Sequence, residues 1–123
     1  MVDIRSEAEI EAEVREIADT AAVVKSLTRL VGVIVVATIG NANSEGRVRR
    51  WLNGERSDRD DRFRFALRLA LMLAQHGGTG IAQAWFKGAN AMLGNRSPAV
   101  VLRDDFSLET QRHLVMAARE STA

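Results

Sequence analysis

Between Leu30 and Gly40 the chain reads LVGVIVVATIG, and the fold class turns on whether this run is a strand or a helix. Its β-branched residues favour a strand, because two heavy atoms on Cβ stiffen the side chain and suit a pleated surface. Its length, roughly eleven residues, favours a helix. The flanks decide. Gly40 can supply a left-handed C-terminal cap, and NANS, Asn41 to Ser44, is turn chemistry that ends on a helix N-cap residue. The run therefore reads as one helix, and every other long apolar segment repeats at helical spacing.

Upstream, Ser6 and Glu9 have the spacing of a capping box, and Ile10, Val14, Ile17, Ala21 and Val24 recur on one helical face. A first helix is expected from about Glu7, with Glu7, Glu9, Glu11 and Glu13 on its outer, solvated side. Downstream, SEGRVRRWLNGE places Val48, Trp51 and Leu52 on an inward stripe that Gly54 terminates. The next segment, SDRDDRFRFALRLALMLAQHGG, opens on acids that suit a helix N-terminus and closes on a glycine pair. Its apolar stripe of Phe63, Leu67, Ala70, Leu71 and Ala74 is widened by Ala66, Leu69 and Leu73, as in a helix at the centre of a fold. Thr79 can cap a short helix carrying Ile81, Ala82, Trp85 and Phe86, after which a turn runs from Gly88 to Asn95. Ser97-Pro98 opens another short helix, and Ser107 caps a last one, LETQRHLVMAARE. The expectation is an all-α, single compact helical domain. It divides into an acidic amphipathic helix (1–26), a helix-turn-helix-like region (27–75) and a C-terminal half of short helices (76–123).

Composition narrows the chemistry. There is no cysteine in 123 residues, which excludes disulfides, thiolate metal sites and a cysteine nucleophile. The acidic N-terminus has no signal-peptide pattern and no run reaches the length of a membrane span, so a cytoplasmic protein without membrane association is expected. His76 and His113 have no serine or metal-ligand partner at diagnostic spacing, and Gly77-Gly78-Thr79-Gly80 lacks the strand and lysine of a phosphate-binding loop. No enzyme activity, metal or cofactor is expected.

LVGVIVVATIG and SEGRVRRWLNGE, joined by NANS, have the form of a helix-turn-helix. Arg47, Arg49 and Arg50 cluster without an intervening acid and are the candidate DNA-binding residues. Glu45 and Gly46 stand where a reading helix wants bidentate donors. DNA contact and simple packing or dimerisation both remain open. The rest of RRWLNGERSDRDDRFR interleaves both signs and is expected to be a solvated face.

From Ala82 the chain reads AQAWFKGANAMLGNRSPAVVL. The order of Trp85, Phe86, Asn90, Leu93, Gly94, Arg96, Pro98 and Leu102 resembles the toxin-binding domain of the Xre/MbcA/ParS antitoxin family. Val48, Trp51 and Gly54 are similar to the helix-turn-helix that often precedes it, so the likeness covers about residues 27 to 117. Asn95 replaces a second glycine common after Leu-Gly, and RDDFSLET replaces the usual glycine-containing link. The resemblance implies an antitoxin that docks on a RES-type, NAD-consuming toxin and blocks its active site, with operator DNA as a possible second partner and a homodimer or larger complex with toxin as the assembly. It implies a scaffold of Trp85, Phe86, Leu93, Gly94, Pro98 and Leu102. Toxin contact would fall to Lys87, Asn90, Asn95, Arg96, Arg103, Asp104 and Asp105. A stand-alone helix-turn-helix transcriptional regulator is the alternative.

Overall fold

The computed structural model describes residues 4–123. Its elements are α1 (Glu7–Arg15), α2 (Thr20–Val31), α3 (Val33–Ile39), α4 (Glu45–Leu52), α5 (Asp60–Gly77), α6 (Thr79–Lys87), a 3-10 turn (Ala91–Leu93), α7 (Pro98–Asp104) and α8 (Leu108–Thr122). Among the described residues the only β pairing is one isolated bridge between Asn90 and Arg96, so the all-α expectation holds. No helix is long and apolar enough to cross a membrane, among the described residues.

α5 is the axis. Its stripe is buried almost all the way round, from Phe63 to Leu73, and it packs against α1, α2, α3, α6 and α8. The apolar side chains form one continuous cluster reaching from Ile10 to Ala118, with no fully buried polar or charged residue among those described. That wide stripe explains why the longest helix is the central one.

The capping box at Ser6 is formed: Glu9 N–H donates to Ser6 Oγ at 3.1 Å, and Ser6 N–H to Glu9 Oε1 at 3.1 Å. The expected single first helix is broken, however. α1 ends at Arg15, and Asp19 accepts the Ala22 N–H at 2.9 Å, which starts α2 at Thr20. An aspartate that can satisfy an orphan N–H is a better start signal than an unbroken apolar period is a continuation signal. The Leu30–Gly40 run is helical but also divided: Gly32 adopts φ +88°, ending α2 and opening α3. A boundary drawn at 26/27 therefore falls inside α2, and one at 75/76 inside α5.

Gly40 is not left-handed; its φ is −77°, and Asn41 takes the positive angle at 54°. Glycine is needed at 40 for space. A Cβ there would stand 2.3 Å from Trp51 Cη2 and 2.9 Å from Phe63 Cζ, whose rings lie against each other with centroids 5.2 Å apart. The turn between α3 and α4 is thus clamped by an indole seated directly on backbone. Thr79, expected as a cap, makes no capping bond; Gly78, at φ +84°, precedes the helix instead.

The mixed-charge stretch around α5 departs most from a solvated face. Arg59 Nη1 donates to the Ile39 carbonyl at 3.1 Å and to the Arg103 carbonyl at 2.8 Å, at the ends of α3 and α7. Arg62 Nε donates to the Leu102 carbonyl at 2.9 Å, and its cation lies 5.3 Å from the centre of the Phe106 ring. Arg64 Nη1 reaches the Val14 carbonyl at 2.9 Å, at the end of α1, while its Nε holds Asp60 at 2.7 Å. Helix C-termini leave carbonyls without intrahelical partners, and guanidinium donors satisfy them with favourable charge.

Two glycines should respond oppositely to alanine. Gly40→Ala should cost about 3 kcal/mol, because indole and phenyl carbons must move to admit the methyl. Gly46→Ala should add about 0.5–1 kcal/mol, since a Cβ there meets nothing closer than 3.5 Å inside a helix. Urea midpoints of the two variants measure both.

Candidate docking surface

α6 delivers Trp85 and Phe86 side by side, both buried, their rings edge to face with centroids 4.9 Å apart. The Trp85 indole N–H is buried without an acceptor, so this ring is held by its apolar contacts. The chain then turns sharply. Asn90 organises the turn with three groups: its Oδ1 accepts the Met92 N–H at 2.9 Å, its N–H donates to the Arg96 carbonyl at 3.1 Å, and its carbonyl accepts the N–H of Leu93 and of Asn95, each at 2.9 Å. Gly94 and Asn95 are consecutive left-handed residues at φ 68° and 64°. Asparagine is among the few side chains that tolerate this region, which is how it stands at 95 without a second glycine.

Ser97 Oγ accepts the Val100 N–H at 3.3 Å, and Pro98, at the first helical position, starts α7 without losing a backbone bond. Pro98 and Leu102 are buried and Leu93 is half-buried, while Gly94 is exposed. The six residues expected as scaffold thus form one turn and the core beneath it.

On the outside, one carboxylate gathers two arginines. Arg96 Nη2 lies 2.6 Å from Asp104 Oδ2, and Arg103 Nε 2.8 Å from Asp104 Oδ1. The Arg103 hydrogen bond first, and then the nearby positive charge, hold Asp104 below the usual carboxylate range. Two guanidinium groups on one carboxylate leave a net positive rim. Lys87 and Asn95 are exposed and have no side-chain partner among the described residues.

Asn90 and Asp105 are engaged locally. The Asp105 carboxylate accepts the Ser107 N–H and hydroxyl, each at 3.0 Å, and the Thr110 hydroxyl, in the first turn of α8. Of the seven expected contact residues, the fold brings Arg96, Arg103 and Asp104 into one cluster, leaves Lys87 and Asn95 open, and ties Asn90 and Asp105 into turns.

The arginine cluster of α4 is exposed. Among the described residues Arg47 and Arg49 have no ion pair, and Arg50 has only a loose one, 3.9 Å from Glu55. Glu45 shares the exposed start of that helix. Among the described residues no group of histidine and acidic side chains is arranged to hold a metal, and His76 and His113 are both exposed.

Comparison of the chain with protein-family models, with curated proteins and with solved structures finds no match. The functional reading therefore rests on the residues themselves.

Asp105 makes this end of the fold acid-sensitive. Its carboxyl is held below the usual range by the Thr110 hydroxyl first and then by the Ser107 donors. A depressed native value means the stabilisation is complete above the unfolded carboxylate value, about 3.9, and is lost as pH falls through the native one. Melting temperature should fall as pH drops below about 4, and Asp105→Ala should flatten part of that fall. Parallel thermal melts from neutral to acid pH measure the difference.

Proposed function

We propose that this chain is an antitoxin of a toxin–antitoxin pair, acting in the cytoplasm by docking on a RES-type, NAD-consuming toxin and occluding its active site. The observation that carries the reading is the division of labour between Trp85 and Leu102. Trp85, Phe86, Asn90, Leu93, Gly94, Pro98 and Leu102, whose order resembles the antitoxin family, have roles in one buried-and-turned unit, while Lys87, Asn95, Arg96 and Arg103 remain on its outer rim. Docking requires this: a rigid turn fixed by backbone bonds, and polar side chains spared from the core. The chain works without cofactor or catalysis. Rim charges guide encounter, and apolar burial at the interface supplies affinity.

Substitutions should separate the two roles. Trp85→Ala should cost about 3–5 kcal/mol by emptying a buried site, and should abolish neutralisation because the domain unfolds. Arg96→Glu loses an exposed ion pair with Asp104 and should lower stability by no more than about 1 kcal/mol, leaving the domain folded while neutralisation fails. Melting temperature beside growth rescue on co-expression with a RES-type toxin measures both. If Arg96→Glu and Arg103→Glu neutralise as wild type, the rim is not the contact surface.

A second reading, a DNA-binding regulator, is favoured by the exposed Arg47, Arg49 and Arg50, and it is compatible with the first through repression of the antitoxin's own operator. With Glu45 and Gly46 at the helix start, phosphate contact exceeds base reading. Binding to a promoter fragment should be weak and steeply salt-dependent, and replacing all three arginines with alanine should remove most of the salt slope. Equal affinity of the triple variant and wild type in a fluorescence titration would discard this reading.

A further inference from the structure

The last turns of α1, α3 and α7 are tied down by the guanidinium groups of Arg64, Arg59 and Arg62, and Arg119 of α8 clasps Glu7 of α1 through two hydrogen bonds of 2.8 Å. The end of α4 has no such tie. Among the described residues no side chain donates to the carbonyls of its last turn, and only the loose Arg50 to Glu55 pair crosses it. Backbone alone makes the stop, a Schellman cap in which Gly54 is left-handed at φ +101°. Gly54 N–H donates to the Trp51 carbonyl at 3.1 Å, and Glu55 N–H to the Arg50 carbonyl at 2.9 Å.

An asparagine followed by glycine carries both an electrophile and a nucleophile, and Asn53-Gly54 is the one such pair in the chain. The Gly54 nitrogen can close a five-membered ring on the Asn53 side-chain carbonyl carbon, and with no Cβ on Gly54 that nitrogen is uncrowded. Space is open as well: both residues are exposed, and a Cβ at Gly54 would meet nothing within 4 Å. The Asn53 side-chain amide makes no hydrogen bond among the described residues. By contrast Asn90 Oδ1 is held by the Met92 N–H, and Asn41, Asn43 and Asn95 precede residues with side chains. In the closed cap the Gly54 N–H is engaged and Asn53 keeps ψ at 9°, so attack requires the bond to Trp51 to open. An exposed helix end is where such openings are cheapest.

We propose that Asn53-Gly54 is a self-modifying site gated by the α4 cap. The Gly54 nitrogen attacks Asn53 Cγ, the Cγ–Nδ2 bond breaks, and the side-chain nitrogen leaves as ammonia with the Gly54 amide proton. A cyclic imide remains. Water then opens it at one of its two carbonyls: at Cγ it gives aspartate, and at the backbone carbonyl it gives an isoaspartyl link that lengthens the chain by one methylene. Nothing is oxidised or reduced. Both products set a carboxylate directly after Arg47, Arg49 and Arg50 and so lower the positive charge of that helix. The isoaspartyl product also carries Gly54 and Glu55 out of register with Trp51 and Arg50. It thereby unlocks the end of the helix whose Trp51 sits on Gly40. The site does not rest on the antitoxin reading.

Peptide mapping by mass spectrometry tests it, on the full chain aged at body temperature in mildly alkaline buffer with and without denaturing urea. The folded chain should convert at Asn53 ahead of every other asparagine, mainly to the isoaspartyl form, and urea should speed the conversion by opening the cap. Asn53→Gln should abolish it, because the longer side chain cannot close the five-membered ring. Isolated by ion exchange, the isoaspartyl form should melt roughly 3–5 °C below wild type for loss of a helix cap. Asn53→Asp adds the charge without lengthening the chain and should lose no more than about half of that. A folded chain that keeps Asn53 intact overturns the proposal. So do conversion spread evenly over the asparagines, equal rates with and without urea, or an isoaspartyl form that melts with wild type.

Discussion

Guanidinium groups bonded to the open ends of helices hold this fold in register. Short helices are poor at sustaining themselves, because nucleation is costly and each leaves four carbonyls unsatisfied at its C-terminus. Three of the neighbours served by α5 are short: α1, α3 and α7 have nine, seven and seven residues. Arg59, Arg62 and Arg64 answer this by donating into their last turns from the N-cap and opening of α5, the longest helix. Burial acts on Arg62 as well: loss of water first, and Arg59 second, pull its guanidinium below its usual value. Apolar packing supplies the bulk of the stability, but it is not directional. The arginine bonds specify which helix end meets which.

The candidate docking turn depends on the same device. Arg59 ties the end of α7 to the end of α3, so the rim residues Arg103 and Asp104 sit on a helix anchored to the centre of the molecule. Their geometry is therefore set by core packing and by backbone bonds rather than by the loop alone. A surface of this kind loses little freedom on association, the condition under which modest contact area can still yield useful affinity.

Much of the fold was legible in the residues. Capping signals at Ser6, Ser97 and Ser107 and the wide stripe of α5 all correspond to observed features, because each depends on local chemistry or on helical period. Gly32 and Asp19 show where period alone misleads: an apolar stripe continues across a break when both helices face the same core. Gly40 shows a different limit, its role being set by Trp51, eleven positions away in a part of space that the pattern does not encode. The arginines of α5 could not be separated from a solvated face, since mixed charge in sequence says nothing about which carbonyls lie within reach. At the candidate site the turn residues were readable from their types, whereas the pairing of Arg96 with Asp104 depended on where α7 ends.

The clasp between Glu7 and Arg119 joins residues 112 positions apart. On a ribosome the glutamate is made 112 residues before its partner. During that interval α1 can rest on α5 by its apolar face, but one edge stays unfastened until Arg119 has been made.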